Sequence, residues 1–284
     1  MQNRPQTMRT TPRPPVLIQN DGLPIPQIGL GIYGPDDNGA ADAVVNALET
    51  GYRSIDTAAF YLNEAGVGEG LRRSGIPREE VHVTTKVWGE DHGYNEAMAA
   101  FDRSLSSLAL EYVDLYLIHW PLPAKDRYVE TWRALERILS DGRAKSIGVS
   151  NFQPHHLERL FAETDVRPVV NQIELHPGFQ NEAVRKFNAQ QGILTQAWSP
   201  LGRGRVFENA DLIRIAQKHQ RTVAQIVIRW HIELGNVVIP KSITPERMKE
   251  NLNVFDFTLD EEDHTVIRSL ETGKRTGDDP DFFG

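Results

Sequence analysis

The sequence predicts an α/β fold: a single (β/α)8 TIM barrel with an N-terminal β-hairpin and extra helices near the C-terminus. Three observations carry that expectation. Eight short apolar runs alternate with amphipathic segments along the chain, and such alternation implies right-handed βαβ crossovers and a parallel sheet buried on both faces. The 284 residues suit eight such units, which need about 250 residues. No Pro/Ser-rich linker divides the middle of the chain, so residues 16–284 read as one domain rather than two.

Each element follows in order. Met1–Pro15 is polar and bears Pro and Arg, without the apolar core of a secretory signal, so residues 1–15 are expected to be a disordered leader on a cytoplasmic protein. Asn20-Asp21-Gly22 lies between two short apolar runs within Val16–Pro26, the mark of a tight hairpin, expected to be a lid or plug ahead of the barrel. Gln27–Tyr33 reads as the first strand. Ala40, Ala43, Val44, Ala47 and Leu48 then recur at helical spacing until Gly51 stops the helix.

The remaining strands are expected at Arg53–Asp56, Val81–Val87, Val113–His119, Ala144–Val149, Val169–Gln172, Ile193–Ala197 and Val237–Pro240. Amphipathic segments between them predict helices at Glu64–Arg73, Glu96–Leu108, Tyr128–Leu139, Pro154–Phe161 and Glu182–Gln190, then a pair at Asp211–His219 and Val223–Leu234. Helices near Pro245–Leu252 and Asp260–Leu270 close the chain.

Composition narrows the function. The net charge of −8 comes from interspersed acids and bases, with no polybasic block for nucleic acid or an anionic membrane. There are no cysteines, which excludes disulfides, thiolate nucleophiles and cysteine-based metal centres. No apolar run approaches a membrane span. A monomer acting on a small molecule is the expectation.

One motif competes with the barrel. Gly29-Leu-Gly-Ile-Tyr-Gly34 matches the G-x-G-x-x-G dinucleotide pattern, and Asp56 follows at roughly the spacing of its ribose-binding acid. In that motif the helix starts within the glycine turn. Here Pro35-Asp-Asp-Asn-Gly39 intervenes, and its two carboxylates oppose an anionic ligand. The second cluster, Gly66-Val-Gly-Glu-Gly70, sits in a helical pattern and reads as a close helix–strand contact.

In a parallel barrel the C-terminal strand ends share one mouth, where chemistry collects. The polar residues at those ends are Asp56, Lys86, His119, Ser150, Asn151, Gln172, Ser199 and Lys241. With Tyr61, from the loop after the second strand, three of them, Asp56, Lys86 and His119, describe an acid catalyst. A free tyrosine, with a pKa of about 10, is too weak an acid, but a nearby ammonium lowers that value. Lys86 supplies the charge, Asp56 fixes Lys86 in place, and His119 donates to a substrate carbonyl oxygen. Such a set protonates an alkoxide as it forms, which is what carbonyl reduction requires. The electrons must come from a hydride-donating cofactor.

Gly51-Tyr-Arg-Ser-Ile-Asp-Thr-Ala58 with Tyr61-Leu-Asn-Glu64, Thr85-Lys-Val-Trp88, Leu117-Ile-His-Trp-Pro121, Ile147-Gly-Val-Ser-Asn-Phe152, Asn171-Gln-Ile-Glu-Leu-His-Pro177 and Ile239-Pro-Lys-Ser-Ile-Thr-Pro-Glu-Arg247 together resemble the aldo-keto reductase superfamily. The resemblance runs from about Leu17 to the C-terminus, with every motif in family order. It implies an NADPH-dependent barrel enzyme that reduces aldehydes or ketones, with Asp56, Tyr61, Lys86 and His119 as the catalytic tetrad. It further implies that Ser150, Asn151 and Gln172 bond the nicotinamide carboxamide and that Trp198 stacks on the ring. Ser199, Leu201 and Gly202 would contact the pyrophosphate region, and Lys241, Ser242, Arg247 and Asn251 the adenosine end. Two cations beside a serine suit a 2′-phosphate, which favours NADPH over NADH.

By the same matching, Tyr33, Trp88 and Trp120 wall the substrate pocket. His176-Pro-Gly-Phe179 departs from the aromatic residue expected after proline, and the tail Thr276–Gly284 is short. The chain is most similar to the bacterial 2,5-diketo-D-gluconate reductase-like branch, which implies small, polar carbonyls such as keto-sugars, α-dicarbonyls or β-keto esters. The alternative is an NADP(H)-binding regulatory module resembling the β subunits of potassium channels.

Overall fold

The structure, a computed structural model, describes residues 14–284. The expected leader lies outside the described residues as far as residue 13. Its boundary is corrected at the last two positions: Pro14 is buried, and the Pro15 carbonyl accepts from the Gln27 amide at 2.8 Å. Strands β1 (Val16–Ile18) and β2 (Pro24–Pro26) pair antiparallel. Fully buried Ile25 packs with Leu115, Leu117, Val170 and Val237 inside the barrel, so the hairpin is a plug rather than a lid.

The barrel strands are β3 (Leu30–Gly31), β4 (Ser54–Asp56), β5 (His82–Val87), β6 (Val113–Ile118), β7 (Ala144–Ser150), β8 (Val170–Glu174), β9 (Leu194–Trp198) and β10 (Val237–Val238). They are hydrogen-bonded in sequence order, each parallel to the next. Isolated parallel bridges Ile28–Val238 and Gly31–Lys241 close the ring. The strand expected over Gln27–Tyr33 is thereby reduced to two residues, because its flanks meet β10 only through these single bridges.

Around the barrel stand α1 (Asp37–Thr50), α2 (Glu64–Ser74), α3 (Tyr94–Leu108), α4 (Tyr128–Ser140), α5 (Pro154–Glu163), α6 (Glu182–Gln190), α7 (Ala210–His219), α8 (Val223–Glu233), α9 (Pro245–Leu252) and α10 (Glu261–Ser269). Among the described residues no helix is long and apolar enough to cross a membrane.

The glycine-motif rival fails on geometry. Helix α1 begins inside the Pro35–Gly39 stretch, but its first turn is already capped by the Asp36 carboxylate, and Asp37 is committed to α2. Asp36 accepts from the Gly39 amide at 2.8 Å, and Asp37 accepts from the Gly66 amide at 2.8 Å. The Gly66–Gly70 cluster is a helix–helix contact, which corrects the expected helix–strand one. A Cβ at Gly66 would lie 2.1 Å from the Asp37 carbonyl oxygen, one at Gly68 2.2 Å from that of Leu108, and one at Gly70 2.7 Å from that of Ala41. Glycine is what lets α2 lie against α1 and the end of α3.

Strand periodicity aims the site. Leu115 and Leu117 face the interior with Ile25, whereas Tyr116 and Ile118 join the helix-side core. Residues of inward parity recur on neighbouring strands: Ser54 and Asp56, then Thr84 and Lys86, then Leu115, Leu117 and His119. The series continues with Ser150, Gln172 and Trp198. Because side chains alternate with a period of two, the last inward position of each strand points into one mouth.

Three histidines, His82, His92 and His231, are buried, and among the described residues neither ring nitrogen of His82 or His92 has a partner. Burial pushes their pKa values down to about 4, about 4 and about 3 respectively. Unfolded, each takes a proton near pH 6.5, so the unfolded chain binds more protons between pH 6.5 and about 4. Urea midpoints are therefore expected to be flat from pH 8 to 7 and to fall steadily as pH drops from 6.5 towards 4. A pH-independent midpoint across that window would contradict the buried neutral state.

Candidate active site

Lys86, near the end of β5, and Asp56, at the end of β4, meet at the mouth. Lys86 is fully buried and Asp56 is 2% exposed. The ammonium donates to Asp56 Oδ1 at 2.5 Å and to the Thr57 carbonyl at 2.8 Å. Gln172 Nε2 bonds the other Asp56 oxygen at 2.7 Å and Gln196 Oε1 at 2.9 Å. Two ions withdrawn from water need this density of partners. Burial opposes the Lys86 ammonium, but Asp56 and Tyr61 together outweigh it, and its pKa is raised.

Tyr61 ends the short 3-10 turn Ala59–Tyr61 after β4. That loop is tied down by buried Asn63, which accepts from Thr57 Oγ1 at 2.8 Å and donates to the Ile32 and Pro35 carbonyls at 2.7 and 3.1 Å. The Lys86 nitrogen lies 5.2 Å from the Tyr61 ring centroid. The expected lowering of the phenol pKa is corrected: burial raises it, Lys86 lowers it by less, and the phenol sits above its ordinary value. Tyr61 therefore keeps its proton.

His119 follows β6 with its ring 5.7 Å from that of Tyr61. Burial, and then the Lys86 charge, hold its pKa well below the ordinary value, so it is a neutral imidazole. Its Nδ1 is buried without a partner.

On the opposite side of the mouth, Ser150 Oγ donates to the Gln172 carbonyl at 2.8 Å. Asn151, in a left-handed conformation, donates to the His119 carbonyl at 3.0 Å and accepts from Trp198 Nε1 at 2.8 Å. The indole of Trp198 is thus fixed in plane while the side chain remains half-buried. Asp56, Lys86, Tyr61, His119, Ser150, Asn151, Gln172 and Trp198 form one connected constellation.

The other expected cofactor residues occupy the adjoining rim. Ser199, Leu201 and Gly202 begin the loop after β9, with Ser199 and Gly202 at positive φ and the Gly202 amide on the Ser199 carbonyl at 2.9 Å. Lys241 pairs with Gly31 across the barrel closure, and its nitrogen lies 3.1 Å from where a Gly34 Cβ would stand. Ser242 caps the turn before α9, while Arg247 and Asn251 sit one turn apart on that helix. Lys241 and Arg247 are exposed and lack a carboxylate partner among the described residues.

The pocket wall is only partly as expected. Tyr33 is 57% exposed and meets Tyr61 edge to face at 5.1 Å. Trp88 packs edge-on to His119 at 5.1 Å. Trp120 is buried beneath Phe283, with ring centroids 4.4 Å apart. Phe60, stacked on Trp88 at 3.9 Å, and Phe283 escaped the sequence reading. Phe60 lies beside Tyr61 in the chain and was open to view; nothing local marks Phe283.

The tail is anchored by buried Glu174, the last residue of β8. It accepts from Thr276 N at 2.5 Å, from Thr276 Oγ1 at 2.6 Å and from Gly277 N at 3.1 Å, and faces His176 Nε2 at 3.2 Å. Burial works against its charge, yet these donors hold its pKa down at about 2. A Cβ at Gly277 would lie 2.6 Å from the Trp198 ring, so only glycine passes there. Further on, Asp281 faces His155 and His156 Nε2 at 3.3 and 3.7 Å. These three have metal-like spacing, but His156 Nδ1 accepts from the Gln153 amide at 3.1 Å. The ring proton therefore sits on Nε2, which leaves that atom no lone pair for a metal.

Charge-assisted hydrogen bonds are worth about 1.5–3 kcal/mol each. In Glu174→Gln, amide exchange at Thr276 and Gly277 is expected to accelerate by about tenfold or more while barrel amides stay protected. Unchanged exchange at those two amides would refute the anchor.

A profile described as "Aldo/keto reductase family" matches residues 27–272. The chain is 48% identical over 275 residues to glyoxal reductase of Bacillus subtilis, covering 96% of this chain and 99% of that one. It is 50% identical over 273 residues to methylglyoxal reductase DkgA of Escherichia coli K12, covering 95% and 98%. A crystal structure of a Bombyx mori aldo-keto reductase in complex with NADP superimposes with a TM-score of 0.89 at 35% identity, covering 96% and 97%.

Proposed function

The chain belongs to the aldo/keto reductase family, and on that footing we propose that it reduces small α-dicarbonyls, and with them keto-sugars or β-keto esters, using Tyr61 as the proton donor. As a family member it is an NADP(H)-dependent oxidoreductase acting on carbonyl groups. The single observation that carries the residue assignment is the buried Asp56–Lys86 pair beside a protonated Tyr61 and a neutral His119.

The rim fits the cofactor. Lys241 and Arg247 are cations without carboxylate partners, suited to a 2′-phosphate, with Ser242 and Asn251 beside them at the adenosine end. Ser199, Leu201 and Gly202 would follow the pyrophosphate, and the half-buried Trp198 offers its face to the nicotinamide. Ser150 and Asn151 would orient the carboxamide. Gln172 has its Nε2 committed to Asp56 and Gln196, so its part would fall to Oε1. Bound NADPH supplies a hydride from nicotinamide C4.

The chain's own groups handle the proton. Burial keeps hydrogen on Tyr61 Oη, aimed at the carbonyl oxygen. As charge develops on that oxygen, Lys86 stabilises the phenolate left when the proton is given up, and Asp56 holds Lys86 in place. His119, neutral, donates its N–H to the same oxygen and orients the carbonyl without competing as an acid. Tyr33, Phe60, Trp88, Trp120 and Phe283 would exclude water and leave room for a short substrate. The relatives named for glyoxal and methylglyoxal support this size class.

General acid catalysis contributes typically 10²–10⁴-fold. Tyr61→Phe is expected to bind NADPH within about twofold of wild type while kcat falls by about 100-fold or more; near-normal turnover would end the role assigned to Tyr61. Arg247→Ala is expected to weaken NADPH binding by about tenfold and leave NADH binding nearly unchanged, as loss of a charge-assisted phosphate contact should. Equal losses for both cofactors would place the 2′-phosphate elsewhere. In an NADPH-oxidation screen, glyoxal and methylglyoxal are expected to outrank long-chain aldehydes in kcat/KM. The reverse ranking would remove the substrate assignment but not the reaction.

A further inference from the structure

Away from the mouth, a groove of about 670 Å³ runs down the flank of the barrel between α6 and α8, reaching the hairpin at Ile18. None of the active-site residues lines it. Its walls carry Arg185, Lys186 and Arg268, and none of these has a carboxylate partner among the described residues. Many arginines elsewhere on this surface do, including Arg73, Arg103, Arg143, Arg159 and Arg221. In a chain of net charge −8, three cations without an ion-pair partner among the described residues gather around one concavity.

The acids nearby are otherwise engaged or stand at the edge. Glu233 holds Arg229 and His264, Glu271 accepts from the Gln180 and Gly273 amides, and among the described residues Glu182, exposed at the start of α6, is the one acid on the lining itself. Arg185 is half-buried. Its Nε is spent on the Gln180 carbonyl at 2.8 Å, and its two terminal nitrogens have no hydrogen-bond partner among the described residues. Burial lowers its pKa despite the attraction of Glu182 and Glu271, the direction expected of a guanidinium that lacks a close counter-ion. Asn236, 3% exposed, lines the groove with an Nδ2 that is buried and unpartnered. Buried donors of this kind are rare in folded chains. Between these polar groups the floor is apolar, formed by the half-buried Leu194 and Leu234 with buried Trp230 behind them.

We propose that this groove is a second ligand site, separate from the catalytic mouth, for a small organic oxyanion: a carboxylate or phosphate ester head held by Arg185, Lys186 and Arg268, with a short apolar body against Leu194 and Leu234, next to Trp230. The guanidinium forks match either oxyanion. The apolar floor removes the hydrocarbon from water.

The test uses the ¹⁵N indole resonance of Trp230, one of five tryptophans, in the full-length protein saturated with NADPH so that the mouth is blocked. Hexyl phosphate and hexanoate are the probes, and hexanol is the neutral control. At least one anion is expected to shift the Trp230 resonance saturably, and hexanol is not; their relative affinity tells phosphate from carboxylate. In Arg185→Gln/Arg268→Gln the affinity is expected to fall at least tenfold with NADPH binding unchanged. Exposed Lys186→Glu, which disturbs no buried contact, is expected to weaken binding in the same direction. Failure of both anions to move Trp230, displacement by NADPH, equal binding of hexanol, or full affinity in Lys186→Glu would each overturn the proposal.

Discussion

The ion pair between Lys86 and Asp56 is the constraint on which the mouth depends. Both charges are withdrawn from water, a situation that costs several kcal/mol per ion unless neighbours compensate. The compensation comes from the Thr57 carbonyl next to Asp56 in the chain, and from Gln172 on the far side of the barrel. Gln172 is in turn held by Gln196, and its carbonyl receives Ser150. The members of such a network depend on one another, since a buried polar group that loses its partner is costly. The geometry of β4, β5, β7, β8 and β9 at the mouth is therefore one arrangement rather than five independent ones.

The pair also sets the protonation of its neighbours. Lys86 helps to discharge His119 and partly offsets the effect of burial on Tyr61. One ammonium thus adds to burial in keeping His119 neutral and works against burial at Tyr61. The sequence suggests the sign of the second effect but not its balance. Desolvation depends on how deeply Phe60, Trp88 and the tail enclose the mouth, and that is a property of packing.

Much of the fold was legible because strand and helix periods are local signals. Asp56, Lys86 and His119 could be placed at strand ends from apolar runs alone, and period-two alternation then forces them to one side. The two-residue β3 was not legible: its length depends on how β10 meets it across the closure, not on the apolar character of Gln27–Tyr33. The Gly66–Gly70 contact was misassigned for a similar reason, since a glycine reports close approach without naming the partner. Glu174 lay within a recognised motif, yet its role appears only when Thr276 and Gly277, about a hundred residues later, return to it. Phe283 reaches Trp120 by the same return.

The barrel closure has a consequence in folding order. β3 and β10 are the shortest barrel strands, and their pairing joins residues more than 200 apart, Ile28 with Val238 and Gly31 with Lys241. Loop-closure entropy makes this the last contact to be rewarded as the chain assembles, and few hydrogen bonds then hold it. Such seams are where native chains open first. Lys241 stands on that seam, so an anion gripped there from both edges would act as a rivet, binding the first and last units of the barrel into one cooperative body.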